Sequence, residues 1–333
     1  MKIWFPKSEQ NIYDEFLKVY YPYALTGTAE SNRREFKQNK SKKCRFCQKE
    51  DVSFDQEPHL IPASLGSANF FSQSECDSCN ALFGIYESHL SKYLGINRIL
   101  SPHNTKRGFE SANGNIVFRK KSHGYSIERR NTDKPDVKYN YAEKKITLDV
   151  STQSYIPSLV YNALLKIALS VMPEGDINGY SVALKFLQDK NNSKLFPEIK
   201  HLKIVQTDFF HQNPFAILFK RNESTSTNFP LHTLCLYFDN HMFQIYFPLH
   251  EENRMKVQND CQFIAAPYVS LEYEFEPDLS IKRSSDDLSP FELTNRKDTI
   301  TLQLDQEAIE KLVAFDPKNG TFTPVSLKKE DEQ

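Results

Sequence analysis

The chain has 333 residues, 39% of them hydrophobic and 13% aromatic, which is ample for a core and excludes a small disulfide-stapled scaffold. Its 42 Lys and Arg nearly cancel its 43 Asp and Glu, so capture of nucleic acid by bulk positive charge is excluded and any electrostatic site is a local patch. No run approaches the ~18 apolar residues of a membrane span, and MKIWFPKSEQ meets charge and proline where a signal peptide would be apolar; a cytoplasmic location with no membrane partner is the expectation.

Tyr13, Phe16, Leu17 and Tyr20 suit one short amphipathic helix near the start. Between Arg33 and Lys49 a basic strip, including Lys40, Lys42, Lys43 and Arg45, is opposed only by Glu35. From Asn80 onward Leu82, Phe83, Tyr86, Leu90 and Tyr93 recur at three- and four-residue steps, predicting a helix that begins at a cysteine pair. The polar stretches SPHNTKRGF and SANGN read as a linker. IVFRKKSHGYSIERR and KKITLDV read as strands, the first carrying a second basic cluster at Arg119, Lys120, Lys121, Arg129 and Arg130.

The run from Ile156 to Val171 keeps apolar residues at helical spacing until Pro173 and Gly175 stop it. LHTLCLYFDNHMFQIYFPL reads as a hairpin about Asp239-Asn240. QFIAAPYV and LEYEFEP look like further strands, followed by a short helix from Gln306 to Val313. The fold class is therefore α+β with an antiparallel sheet in its larger, C-terminal part.

Four of the six cysteines fall as Cys44-x2-Cys47 and Cys76-x2-Cys79, separated by 28 residues, while Cys235 and Cys261 stand alone. In a reducing compartment thiols serve as metal ligands more readily than as disulfides. Two knuckles supplying two thiolates each close a tetrahedral shell, so the expectation is a structural Zn²⁺ held by Cys44, Cys47, Cys76 and Cys79.

Between the knuckles stands QEPHLIPASLGSANFFSQSECDSCN: His59 before Leu-Ile-Pro, then Gly66, Asn69, and Asn80 directly after the fourth cysteine. On these residues, about 40 to 95, the chain resembles the HNH endonuclease family, the zinc-stapled branch of the ββα-metal (His-Me finger) nucleases. The resemblance implies a metal-dependent hydrolase of phosphodiester bonds. His59 would be the general base, Asn69 the support of the loop presenting it, and Asn80 a ligand of a catalytic Mg²⁺ or Mn²⁺. It also implies a nucleic acid substrate, DNA ahead of RNA, and a setting in bacterial restriction or anti-phage defence; a homo-oligomer or a defence-system partner protein stays open.

The family usually carries an acid before the histidine, where this chain has Pro58. Replacement carboxylates at hand are Glu57, Asp55 and Glu87, with Glu87 favoured because it lies seven residues after Asn80, on nearly the same helix face. Asn80 has a plainer reading as a helix cap. Lys40, Lys42, Lys43 and Arg45 read as phosphate contacts or as a solvated face. The expected division is an N-terminal extension over 1–32, a zinc-stapled ββα-metal module over 33–105, and an α+β domain over 106–333 that selects substrate or regulates. The competing function is a zinc-knuckle nucleic-acid-binding protein without catalysis, with Pro58 as the mark of its loss.

Overall fold

The computed structural model describes residues 3–26, 43–66, 70–97, 108–121, 124–130, 136–140, 142–189, 200–247, 250–251, 261–275, 279–303, 313–316 and 321–324. In chain order the principal elements are α1 (Gln10–Val19), β1 (Tyr20–Thr26), α2 (Asp77–Leu94), β2 (Phe109–Glu110), β3 (Ile116–Lys121), β4 (Gly124–Arg129), β5 (Val137–Asn140) and β6 (Lys145–Ser151). Then come α3 (Pro157–Val171), α4 (Ser181–Gln188), β7 (His201–Thr207), β8 (Phe215–Arg221), β9 (His232–Phe238), β10 (His241–Tyr246), β11 (Ile281–Asp287), β12 (Lys297–Gln303), β13 (Val313–Asp316) and β14 (Thr321–Pro324). Among the described residues, no helix is long and apolar enough to cross a membrane.

These elements form two compact units that interleave along the sequence: Met1–Ser91 with Ser101–Asn104 and Tyr155–Leu293, and Lys92–Leu100 with Thr105–Ser154 and Thr294–Gln333. This differs from the linear division at 32 and 105. The N-terminal segment is no extension, because β1 pairs antiparallel with β8, Tyr20 opposite Arg221, and so belongs to a sheet.

The first unit is built on a six-stranded sheet in the order β1-β8-β9-β10-β7-β11, antiparallel at every pairing. The β9–β10 hairpin turns at Asp239-Asn240 as the sequence predicts, with Asp239 in the left-handed region at φ 48°. Asn240 fixes the turn by donating Nδ2 to the Thr207 carbonyl at 2.9 Å. Every residue of β9 and β10 is buried, so both faces of the sheet are covered. On one face Phe16 and Val19 of α1 join Phe215, Ile217, Phe219, Tyr237 and Tyr268. Helix α3 is buried from Pro157 to Leu169, and Tyr161 donates its hydroxyl to the Tyr246 carbonyl at 2.9 Å. A helix this apolar, with Lys166 its one charge, has to be enclosed, and this one is.

The second unit holds two three-stranded sheets, β2-β3-β4 and β12-β6-β5, and the β13–β14 hairpin. Strand β6 alternates as a half-buried strand should: Ile146, Leu148 and Val150 face a core shared with Ile96, Phe109, Ile116, Phe118 and Val137.

Two strand expectations are corrected. QFIAAPYV and LEYEFEP form no strand among their described residues; the pairing there is one isolated bridge, Ser270 with Trp4. Pro267 removes a ladder donor, and neighbouring amides go to side chains instead: Ala266 N to Gln244 Oε1 at 2.9 Å and Tyr268 N to Glu9 Oε2 at 3.1 Å. The helix expected from Gln306 lies outside the described residues, except that Val313 opens strand β13. Tyr20, expected at the end of the first helix, instead begins β1.

Candidate metal centre and nuclease site

The four cysteines of the two knuckles place their sulfurs within 4.8 Å of one another. Cys44 and Cys79 stand 3.7 Å apart and Cys47 and Cys76 3.8 Å. A Zn–S bond of about 2.3 Å gives a tetrahedron edge of about 3.8 Å, so the donor set and its spacing fit zinc. Local folding explains the convergence. Residues 45–47 turn tightly, Gln48 enters the left-handed region at φ 61°, and Gln48 N donates to the Cys44 carbonyl at 2.9 Å. The second pair lies at the N-terminus of α2, where Cys76 N points at Cys44 Sγ, 3.5 Å away. Phe46 packs edge-on against Phe83, ring centroids 4.7 Å apart, which ties the first knuckle to that helix. Gln188, at the end of α4, donates Nε2 to Cys79 Sγ at 3.5 Å, the kind of outer contact that steadies a metal thiolate. The hydrogen bond between Cys44 and Cys79 lowers the pKa of the Cys44 thiol and raises that of Cys79, the opposed shifts of sulfurs packed closely enough to compete for one proton.

Helix α2 also organises the segment before His59. Asp77, its first residue, accepts hydrogen bonds from the amides of Asp55 at 3.0 Å and Gln56 at 2.9 Å and from the Ser53 hydroxyl. Gln56 in turn accepts from Asn80 Nδ2 at 2.6 Å. Asn80 is therefore not the helix cap: it stands inside the first turn, its amide donating to the Cys76 carbonyl at 2.9 Å.

His59 pairs with Phe71 in an isolated antiparallel bridge. The hydrogen bonds come from its neighbours, Leu60 N to the Phe70 carbonyl at 2.8 Å and Ser72 N to the Pro58 carbonyl at 2.7 Å. This is the wide pair of an antiparallel ladder, in which facing side chains approach closely and the pair's own N–H and C=O point away. Accordingly the His59 and Phe71 rings lie 4.8 Å apart. The imidazole is half-buried with Nδ1 closed off from solvent. Ile61 and Leu65 anchor the following turn in the core, and Gly66 closes it at φ 95°, a conformation that suits glycine. The described pairing is thus one bridge followed by a helix, and the structure brings Asn80, Gln56 and the loop before His59 together. Asn69, Lys40 and Lys42 lie outside the described residues.

The carbonyl of His59 faces α3, where the Lys166 ammonium donates to it. Lys166 also reaches Glu87 Oε1 and Glu75 Oε2, both at 3.2 Å. Lys166 and Glu75 are sealed off, while Glu87 keeps 24% of its side chain exposed. Burial works against the lysine's charge, but Glu75 and Glu87 outweigh it and raise its pKa, so it stays an ammonium. Burial pushes Glu75 up to about 7, with Lys166 opposing. Of the carboxylates weighed from sequence, Glu87 is tied to this cluster and Glu57 is half-buried in the segment leading to His59.

The basic strip changes meaning. Arg45 does not stand free for phosphate: its Nη1 donates to the carbonyls of Leu169 at 3.0 Å, Ser170 at 3.1 Å and Met172 at 2.6 Å, closing the C-terminal end of α3. Burial lowers the guanidinium's pKa. Lys43 remains exposed beside the knuckle. In the second cluster Arg119 pairs with Glu128 at 3.2 Å, Arg130 with Glu110 at 2.7 Å, and Arg129 with Asp136 at 3.7 Å, so these arginines are matched by carboxylates within their own unit. Lys166, Glu75, Asp77, Gln56 and Gln188 were not legible as site residues, although one charge inside the apolar run of α3 is a signal that a buried partner exists.

Compared with known families, residues 44–91 match the family model described as HNH endonuclease, from the first zinc-knuckle cysteine to the last full turn of α2. No curated protein and no solved structure matches the chain.

Proposed function

From the membership of residues 44–91 in the HNH endonuclease family, we propose that the protein is a metal-dependent nuclease that hydrolyses phosphodiester bonds, DNA ahead of RNA, with a role in restriction or anti-phage defence. The zinc quartet shapes the module and stays out of the reaction. A divalent cation, Mg²⁺ or Mn²⁺, would supply neutralisation of the charge that gathers on the non-bridging and departing oxygens. Asn80 would offer its side-chain oxygen to that ion, since its amide nitrogen is already engaged by Gln56. Glu87, anchored through Oε1 on Lys166, keeps a second carboxylate oxygen for the position usually served by the acid that Pro58 replaces; Glu57 is the other carboxylate within the segment. His59 would take the proton from the attacking water, through Nε2 because Nδ1 is walled in. Asn69 would support the loop, and Lys43, with Lys40 and Lys42, would meet phosphates without reading sequence.

The observation that carries this reading is the meeting of the His59 backbone and the Glu87 carboxylate at one buried ammonium, Glu87 lying two turns along the helix that also bears Asn80. The test is cleavage of supercoiled plasmid, linear duplex and single-stranded RNA with Mg²⁺ or Mn²⁺. His59→Ala should reduce the rate by at least ~10²-fold while zinc content and circular dichroism stay unchanged. Wild-type protein that binds DNA yet cuts none of these substrates would instead establish the binding-only reading, which Pro58 favours.

A further inference from the structure

Lys166 lies outside the matched segment, in the middle of α3, yet its ammonium ends on the backbone of His59. A fully buried lysine is costly, and two carboxylates, Glu75 and Glu87, already suffice to neutralise it. The third acceptor is therefore the informative one. The backbone hydrogen bonds that frame the His59–Phe71 bridge come from the neighbouring residues, and the His59 carbonyl, turned away from that bridge, has Lys166 as a donor. The same Nζ fixes one oxygen of Glu87. One donor group thus sets the distance between the segment that carries the imidazole and the carboxylate two turns down α2 from Asn80.

We infer that Lys166 is a positioning residue of the site, holding the His59 backbone and the Glu87 carboxylate in one frame from a helix that the nuclease module itself does not contain. The inference rests on the nuclease reading for its kinetic consequence and not for its geometric one. Misplacement of a reacting group by about an ångström costs on the order of 100-fold in rate. Because Lys166 does not face solvent, substrate binding should be spared.

The experiment compares full-length wild type with Lys166→Met combined with Glu75→Gln, which leaves no buried carboxylate stripped of its partner, and with Lys166→Arg, which keeps the charge but shifts the donor nitrogens. Plasmid cleavage is measured as kcat and KM, zinc by elemental analysis, and the His59 ring by ¹H–¹³C NMR, assigned with His59→Gln. The expected order of kcat is wild type, then Arg about tenfold lower, then Met/Gln about 100-fold lower, with KM within about threefold and zinc retained. The His59 ring signal should move in both variants. A wild-type kcat with an unmoved His59 signal in the Met/Gln variant overturns the inference. If that variant does not fold, the Arg variant decides alone, and a wild-type kcat there overturns it. If wild type cuts nothing, the nuclease reading has failed, and the His59 signal still decides whether Lys166 sets that residue's position.

Discussion

Replacing Arg45 by Met separates two roles that a basic residue beside a zinc knuckle can have. Met preserves much of the apolar stem and removes only the guanidinium. That group's Nη1 has two hydrogens for three carbonyls, at 3.0, 3.1 and 2.6 Å, so two near-linear charged hydrogen bonds are the most it makes at once. At roughly 1–1.5 kcal/mol each for a half-buried setting they contribute about 2–3 kcal/mol. Favourable interaction with the helix end adds about 0.5 kcal/mol, and the burial that lowers the guanidinium's pKa takes part of this back. The expected loss is about 2 kcal/mol, read as a lower midpoint in urea unfolding followed by circular dichroism. In parallel, DNA affinity is measured against salt. A phosphate contact would reduce the slope of log K against log salt by about 0.9, whereas a residue closing α3 leaves it unchanged. A stability loss below ~0.5 kcal/mol together with a shallower salt slope would refute the structural reading and restore Arg45 to the substrate surface.

Two further outcomes are expected. Cys79→Ser, or chelation of wild type, should remove the bound zinc and expose the segment between the knuckles to protease, because apparent zinc affinities of about 10–16 kcal/mol act as folding energy for such modules; full protection without zinc would contradict the tetrahedral centre. Lys200, buried and lowered to about 8 by that burial, donates to Ser158 Oγ at 2.7 Å. Its folded pKa lies below the unfolded value of 10.5, so the penalty is complete below pH 8 and relaxes as pH rises toward 10.5. Lys200→Met should therefore be more stable than wild type by about 2–3 kcal/mol at pH 7, with the gap closing by pH 10; a gap independent of pH would show that the lysine's charge is not what is paid for. Taking the difference between variants cancels the opposite effect of buried phenols such as Tyr86, whose pKa burial raises to about 12.

Local pattern was enough wherever a signal and its cause lie close in the chain. Each Cys-x2-Cys spacing, the apolar periodicity of α3 and the Asp239-Asn240 turn is carried by one short continuous stretch, and each stands where the spacing puts it. Asn80 and His59 were visible as candidates because their neighbours carry the family pattern, but not what holds them. Asp77 reads as an ordinary residue between cysteines, and only the folded chain shows its carboxylate gathering the amides of Asp55 and Gln56. Arg45 reads as part of a cationic strip, since nothing nearby announces that a helix end more than a hundred positions later takes its guanidinium. The same holds for strand residues: QFIAAPYV has strand composition, and it is Pro267 with the side chains of Gln244 and Glu9 that diverts its amides.

The pairing of β1 with β8 has a consequence for how the protein comes into being. Tyr20, the first residue of β1, gives its hydroxyl to the carbonyl of Pro230, 210 positions further on. At about 5–20 residues per second, a ribosome needs roughly 10–40 s to bridge that gap. During that time the leading strand has emerged with its hydrogen-bonding edge unmatched, and the helix that carries Lys166 and is to receive Arg45 is still being made. The early part of the nascent chain thus waits with a strand edge unpaired, and a shortened product ending before β8 would be expected to aggregate rather than to retain a small active fragment.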